Sequence, residues 1–135
     1  MLNSGDLAFS FSGLKTAVLY SLQKIPEADR ASELSNLCAS FQQAVIEVLV
    51  KKTVKAAAQS GQQLVTLSGG VTGNQALRSA MAEACDRAGL QLLIAEGPHC
   101  TDNAAMIAQV ALEKLARNQV DPLSTDVNPN LALAE

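Results

Sequence analysis

The sequence is poor in aromatic residues, with no tryptophan, one tyrosine and three phenylalanines among 135 residues. Apolar residues nevertheless make up 48% of the chain, so its core has to be built from Leu, Val, Ile and Ala. Such a core suits helices packed on a small sheet. The length is close to the usual size of one domain. Composition therefore predicts a small domain with a single aliphatic core.

Positive charge is not in excess either. Ten Lys and Arg residues stand against 13 Asp and Glu residues, which gives a net charge of −3. The chain therefore has no excess of positive charge, and we do not expect this segment to make most of the contacts to a nucleic acid. No apolar run approaches the roughly 20 residues that cross a bilayer, and the first ten residues lack the basic and apolar regions of a signal peptide. These absences predict that the chain has no membrane partner.

Cysteine and histidine are scarce. The three cysteines, Cys38, Cys85 and Cys100, are odd in number and far apart, and they form no CxxC pair. They indicate neither a disulfide framework nor a zinc knuckle. The single histidine, His99, has no second pair of soft ligands to complete a metal site. Cysteines without a disulfide framework are typical of the reducing cytosol, so we predict a cytoplasmic protein.

Apolar periodicity predicts an α/β pattern with two or three short strands and about four helices. The predicted helices span residues 14–25, 28–60, 74–88 and 101–118, the predicted strands span residues 64–68 and 91–95, and residues 9–12 form an extended, strand-like piece. We expect the strands at 64–68 and 91–95 to lie adjacent and parallel, because a helix joins them in a crossover.

The long predicted helix carries one apolar stripe at three- and four-residue steps. Its members are Leu34, Leu37, Phe41, Val45, Val48 and Leu49. The charged side chains of Lys51 and Lys52 are expected to lie off this stripe. Gly61 is a natural end for this helix, and Thr101 is expected to cap the last one.

The first candidate site is the turn Ser68–Asn74, where a strand ends in glycines and a helix begins at once. Glycine lets a ligand approach the backbone, and a helix N-terminus offers unpaired N–H groups with partial positive charge. This arrangement suits a nucleotide or its phosphates, which Asn74 could reach with its side-chain amide. An ordinary turn, in which Gly69 and Gly70 relieve backbone strain and Asn74 caps the helix, explains the same residues.

The second candidate site is the run Cys100–Asn103 at the predicted start of the last helix. Asp102 could ligate a metal and Asn103 could orient it or a phosphate, but a carboxylate at this position also stabilises a helix as a capping group. We interpret His99 as a solvated loop residue. Cys100 is interpreted as a small buried apolar residue rather than a nucleophile.

The third candidate is Lys15, in the first turn of the helix that follows FSFSG. Its ammonium group could meet an anion, but we favour a solvated side chain on an amphipathic helix. Taken one at a time, all three stretches are generic.

Four stretches taken together are specific: FSFSGLKTAV, ASFQQAVIEVLVKKT, LSGGVTGNQALR and CTDNAAMIA occur in this order. In this the chain resembles the TsaD family, formerly described as sialoglycoprotein endopeptidase or glycoprotease. The resemblance runs to about Arg117. It departs in the glycine turn, where the family usually has alanine before the asparagine and this chain has Gly73.

The resemblance implies an actin-like fold of the sugar kinase, Hsp70 and ribonuclease H-like class, whose two α/β lobes close on an adenine nucleotide. Residues 1–117 would then be the C-terminal portion of an actin-like ATPase-type domain, and residues 118–135 a tail. The implied reaction transfers a threonylcarbamoyl group from threonylcarbamoyl-AMP to the exocyclic amine of the adenosine beside the tRNA anticodon. A paralogous actin-like subunit and an accessory ATPase are the implied protein partners.

Site residues follow from the same resemblance. In the family, one iron or zinc ion is held by two histidines of an upstream motif and by the aspartate of CTDN, so Asp102 is the implied metal ligand. The asparagine of the glycine turn contacts the adenylate, which gives Asn74 that role, with Gly69 and Gly70 lining the pocket. The two histidines are absent from this sequence, so we expect no tightly bound metal in this chain.

The family's upstream nucleotide-binding segments are missing as well. We therefore expect a truncated form or a fragmentary reading frame of a longer transferase, inactive by itself. Two alternatives remain. A metallopeptidase, suggested by the older family name, needs clustered ligands such as HExxH, which this sequence lacks. A non-catalytic actin-like module could instead pair through its apolar surface, for example as a homodimer.

Overall fold

The computed structural model describes residues 4–130. The helices are α1 (Ser12–Lys24), α2 (Arg30–Ser60), α3 (Gln75–Arg87) and α4 (Ala104–Ala116), and the strands are β1 (Leu64–Leu67) and β2 (Gln91–Ile94). The chain divides between Thr101 and Asp102 into two compact units, and each is described by itself. The first contains α1 to β2 and the second contains α4. The mixed α/β class with four helices agrees with the sequence prediction, and its assignment to an actin-like lobe stays a prediction.

The two strands form a parallel pair, as their β-branched apolar sequences and the intervening helix predicted. Leu64 lies opposite Gln91, and Leu67 lies opposite Ile94. At the two ends of the strand pair, the N–H of Gln91 donates to the carbonyl of Gln63 over 2.8 Å, and that of Ala95 donates to the carbonyl of Leu67 over 2.9 Å. The loops that follow β1 and β2 therefore leave the same edge of the sheet.

The core of the first unit lies where α2, α3 and the sheet meet. Ala57, Val65, Met81 and Cys85 form one buried cluster. Each of the last two exposes 2% or less of its surface, and burial raises the pKa of the Cys85 thiol. This cluster contains no aromatic residue, as their scarcity predicted, but Met81 and Cys85 occur in it beside the expected Ala and Val. It fixes the sheet and α3, and with them the turn that joins the two.

The prediction of a strand-like piece at residues 9–12 is wrong for the part of the chain that the structure describes. The sheet there has only the strands β1 and β2, and α1 already begins at Ser12. Just before this piece, the carbonyl of Ala8 accepts a hydrogen bond from Lys52 over 2.6 Å instead of pairing with a strand. Four alternating residues are too few to separate a strand from a short extended connection.

The expectation that Lys52 lies off the apolar stripe of α2 is also wrong, since Lys52 is one of the buried residues of this helix. Its side chain is only 3% exposed, and Nζ donates to Ser4 Oγ over 3.0 Å, to Asp6 Oδ1 over 3.0 Å and to the carbonyl of Ala8. An ammonium group has three N–H donors, and all three are used. Lys51, its neighbour, is exposed and pairs with Glu47. Buried charges need such partners, and here the segment before α1 supplies them.

Helix ends follow local chemistry, with one correction. Gly61 adopts φ 66° after α2, as expected for a glycine that ends a helix. Thr101 was expected to cap the last helix, but α4 begins at Ala104, and Asn103 caps it by accepting from the N–H of Met106 over 3.2 Å. Both Thr and Asn are good caps, so the local sequence could not choose between them.

Among the described residues, the second unit consists of α4 and a following segment without helix or strand. No residue of α4 is buried, and Ile107 is 73% exposed. Residues 118–130 form turns and irregular segments and are exposed. The closing LALAE of the predicted tail lies outside the described residues. No helix within residues 4–130 combines the length and the apolar character needed to cross a membrane.

Candidate functional site

The glycine turn begins one residue after β1. Gly69 has φ 97° and ψ 165°, residues Gly70–Gly73 form one short 3-10 turn, and Asn74 stands at the start of α3. Backbone N–H groups of Thr72 and Asn74 donate to the carbonyls of Gly69 and Val71, each over 3.0 Å. The turn is therefore closed by its own backbone, in the strand–turn–helix arrangement that the sequence predicted.

The glycines of this turn are not equivalent. Gly69 lies in a region of φ and ψ that is almost restricted to glycine, so the backbone itself requires it. Gly70 and Gly73 do not have such a φ, and a Cβ atom added to either one would meet no described atom within 4 Å. Neither backbone conformation nor crowding therefore requires glycine at these two positions, and the backbone beside them is open.

Asn74 has the capping role that the sequence left as one alternative. Its Oδ1 accepts from the N–H of Leu77 over 3.0 Å, and its Nδ2 donates to Oε1 of Gln42 over 2.8 Å. A primary amide has two N–H donors and two acceptor lone pairs. One donor and one lone pair of the half-buried Asn74 are therefore left for another contact. Capping does not exclude ligand binding.

A groove between α1 and α2 opens beside Asn74, with a volume of about 910 Å³. Its walls are mostly apolar, and Lys15, Gln42 and Asn74 supply polar groups. Val71 of the glycine turn also lines it, whereas Gly69 and Gly70 do not. Sequence reasoning missed this groove, although apolar residues at three- and four-residue steps on both helices are the signal that two such faces meet.

Thr72 and Cys100 form a contact that was also missed. Both are buried, at 2% and 5% exposure, and Thr72 Oγ1 lies 2.9 Å from Cys100 Sγ. The interpretation of Cys100 as a small buried residue is confirmed. The contact joins the turn after β1 to the loop after β2. Thr72 follows glycines in a turn, where a threonine is ordinarily exposed, so no local signal could identify it.

The predicted metal ligand belongs to the second unit. Asp102 is exposed and lies two residues before the first residue of α4, and its placement against the glycine turn stays a prediction. His99 is exposed at the end of a short 3-10 turn. Within residues 4–130, no group of three His, Cys, Asp or Glu side chains is positioned to hold a metal ion. The residues present therefore do not fit a complete iron or zinc centre.

Comparison with known proteins identifies the family of this chain. The family model described as TsaD, tRNA N6-adenosine threonylcarbamoyltransferase, matches residues 2–109. This range includes the glycine turn and the CTDN run. The comparisons give no support to a metallopeptidase or to a separate dimerisation module.

Curated relatives carry the same name. A tRNA N6-adenosine threonylcarbamoyltransferase of Desulfotalea psychrophila is 47% identical over 129 residues, which are 93% of this chain and 38% of that protein. One of Geobacter metallireducens is 47% identical over 134 residues, 98% of this chain and 39% of that protein, and one of Salinibacter ruber is 42% identical over 132 residues. The chain thus spans between a third and two fifths of the length of these relatives. This protein chain belongs to the TsaD family and corresponds to a fragment of its members.

Proposed function

We propose that this chain carries part of the nucleotide pocket of a tRNA threonylcarbamoyltransferase with an actin-like fold. The complete enzyme would transfer the threonylcarbamoyl group of threonylcarbamoyl-AMP to the exocyclic amine of the adenosine beside the tRNA anticodon. Membership in the family supports the reaction, and the glycine turn supports the role of this segment. A tRNA-modifying enzyme of this kind would act in the cytoplasm.

The observation that carries the proposal is the open backbone at Gly70 and Gly73. The fold does not require glycine at either position, since φ is not positive and no described atom would contact an added Cβ. A ligand that lies directly against the backbone would require it. The turn also leads into the N-terminus of α3, where the first N–H groups have no partner within the helix. Phosphate or carbonyl oxygens of an adenylate are suitable acceptors for such groups.

Asn74 would add a directional contact to this backbone surface. Its two hydrogen bonds to Leu77 and Gln42 hold the amide in one orientation, so the remaining N–H points in a fixed direction before any ligand arrives. A donor that is already oriented loses little conformational entropy on binding. The proposed role of Asn74 is therefore to orient the adenylate relative to Gly69 and Gly70.

Asp102 would supply one carboxylate ligand to the iron or zinc ion of the complete enzyme. A single carboxylate does not hold such an ion tightly, and the remaining ligands would come from outside this chain. Binding of tRNA, of the paralogous actin-like subunit and of the accessory ATPase belongs in the same way to the complete enzyme. We therefore expect this chain to be inactive by itself.

The proposal predicts weak but specific binding of AMP, with a Kd on the order of millimolar because much of the pocket is missing. Asn74→Ser tests the amide directly, because serine keeps the cap on α3 but lacks the second donor. The Kd for AMP should rise about fivefold in this variant, as expected for one lost hydrogen bond, while the melting temperature stays within a few degrees. Asn36→Ser, the same substitution at an asparagine of α2 that makes an exposed side-chain hydrogen bond to Glu33, is the control and should leave the Kd unchanged.

A second measurement tests the expected inactivity. The chain is incubated with threonylcarbamoyl-AMP and tRNA, and modified adenosine is measured by mass spectrometry of the digested tRNA. No product should form. Product above the level of a protein-free control would show that this chain holds a complete active site.

A further inference from the structure

Two loops that leave the same edge of the sheet are joined by a buried pair of side chains. Thr72 belongs to the turn after β1, and Cys100 follows the short turn Gly97–His99 after β2. The two residues are 28 positions apart in sequence, and Thr72 Oγ1 lies 2.9 Å from Cys100 Sγ. Both side chains are almost fully excluded from solvent, so water does not compete for this contact.

The pair is part of a longer chain of polar contacts. Thr72 Oγ1 lies 2.7 Å from the carbonyl oxygen of Gly69, and Cys100 Sγ lies 3.3 Å from the carbonyl oxygen of Ala95. Hydroxyl and thiol groups each have one hydrogen and can also accept. The hydroxyl hydrogen of Thr72 is shared between the Gly69 carbonyl and Cys100 Sγ in a three-centre hydrogen bond, and the thiol of Cys100 donates to the Ala95 carbonyl. This arrangement joins the two loops.

Thr72 holds the Gly69 carbonyl through two donors. Its backbone N–H lies 3.0 Å from this oxygen, and its hydroxyl lies 2.7 Å from it. A peptide unit is planar, with its C=O and N–H antiparallel. The direction of the Gly69 carbonyl therefore sets the direction of the Gly70 N–H. Gly69 itself has φ 97°, a conformation that the unrestrained backbone of a turn does not favour over others.

We propose that Thr72 and Cys100 are positioning residues that hold the Gly70 N–H in the direction needed to donate to an adenine nucleotide. This inference rests on the proposed function and adds residues that touch no ligand themselves. Thr72 fixes the Gly69–Gly70 peptide unit, and Cys100 fixes Thr72 against the loop after β2. Placing this pair away from solvent keeps the turn in one conformation while its outer face stays open to the ligand.

The test compares variants that remove or retain the polar atom. Thr72→Val keeps the shape of the side chain and removes the hydroxyl, and Thr72→Ser retains it. Cys100→Ala and Cys100→Ser form the second pair. Binding of AMP is followed by amide chemical shifts, and hydrogen exchange of the Thr72 amide reports how firmly the Gly69 carbonyl is held. Far-UV circular dichroism and melting temperature establish that each variant is folded.

We expect Thr72→Val to raise the Kd for AMP about fivefold, as for one lost hydrogen bond. Hydrogen exchange of the backbone amide of residue 72 should become about tenfold faster. Cys100→Ala should act in the same direction. Thr72→Ser and Cys100→Ser should restore both values to within about twofold of the wild type. A lower melting temperature with unchanged Kd and unchanged amide exchange in Thr72→Val would overturn the inference, because the pair would then only stabilise the fold.

Failure of the proposed function gives a different result. If AMP causes no shifts at residues 69–74 of the wild type, the nucleotide pocket is wrong. Hydrogen exchange still tests the pair in that case. If the amide of residue 72 exchanges at the same rate in Thr72→Val as in the wild type, the pair has no positioning role. If it exchanges faster, the pair positions the turn, although the turn does not bind AMP.

Discussion

Nδ2 of Asn74 donates to Oε1 of Gln42 over 2.8 Å, and this hydrogen bond joins the start of α3 to the middle of α2. Because Oδ1 of the same amide accepts from the N–H of Leu77, both ends of the side chain are held. The amide is thereby fixed in the wall of the groove between α1 and α2. The candidate ligand contact and the local structure thus depend on the same side chain.

This double role makes a prediction for stability. Asn74→Ala removes the cap of α3 and the bond to Gln42, so it should lower the free energy of unfolding by about 1–2 kcal/mol. Gln42→Ala removes only the second contact, which is exposed, and should cost less than about 0.5 kcal/mol. Urea unfolding followed by circular dichroism measures both. Equal losses in the two variants would contradict the cap as the main contribution.

The same substitution at the two neighbouring glycines should affect the stability of the fold at only one of them. Gly69→Ala forces alanine into a conformation that is almost restricted to glycine, so it should destabilise the fold by about 1–3 kcal/mol. Gly70→Ala meets no such strain and no described atom within 4 Å, so its free energy of unfolding should stay within about 0.5 kcal/mol of the wild type.

At Gly70, the affinity for AMP should be affected although the stability of the fold is not. An added methyl group there occupies the space proposed for the ligand, so Gly70→Ala should weaken binding of AMP without weakening the fold. Isothermal unfolding and an amide-shift titration on the same sample measure the two effects. Unchanged affinity in a folded Gly70→Ala variant would count against a ligand lying on this backbone.

Lys52 should be far more sensitive than its neighbour. Lys52→Met keeps an apolar stem of similar length but removes the three hydrogen bonds that hold the segment before α1. We expect a loss of about 1–3 kcal/mol in the free energy of unfolding. Lys51→Met, which removes only an exposed ion pair with Glu47, is the control and should change it by less than about 0.5 kcal/mol. Similar losses in both variants would contradict the buried role of Lys52.

The contact between Lys52 and Asp6 also predicts a pH dependence. The hydrogen bond from Lys52, followed by that from Ser4, holds the pKa of the Asp6 carboxyl below its ordinary value of 3.8. A carboxyl whose pKa is lower in the folded chain stabilises the fold above the ordinary value, and this contribution is lost as the pH falls through the folded pKa. The segment before α1 should therefore loosen only below about pH 4.

Titration by NMR of the carboxyl carbon measures this pKa. In the wild type the pKa of Asp6 should lie below its ordinary value of 3.8. In Lys52→Met the pKa of Asp6 should rise toward the ordinary value, because the largest cause of the shift has been removed. An unchanged pKa in this variant would show that Lys52 does not bind Asp6 in solution.

Local patterns predicted most of the elements because their causes are local. The run from Leu64 to Leu67 is apolar with β-branched residues, and Gly61 and Gly69 mark the ends of elements where φ is positive. The turn itself, with Asn74 at the start of a helix, follows from the same signals. The resemblance to the TsaD family then identified this otherwise generic turn as a candidate nucleotide site.

The remaining features depend on residues that are distant in sequence. Lys52 is buried because partners 44 to 48 positions away reach it, and a charge between apolar positions gives no hint of them. Thr72 is buried because Cys100 packs on it from another loop. Neither contact has a periodic signature. The placement of Asp102 relative to the glycine turn stays a prediction.

Binding of an adenine nucleotide at the glycine turn is tested most directly by a residue-resolved map of amide shifts during titration with AMP. We predict saturable shifts, with a Kd on the order of millimolar, that cluster at residues 69–76, with Gly70 and the side-chain amide of Asn74 among the largest. Val65 and Met81, buried in the core behind the turn, should not move. Saturable shifts that cluster elsewhere on the chain, with residues 69–76 unaffected, would contradict a nucleotide-binding site at the glycine turn.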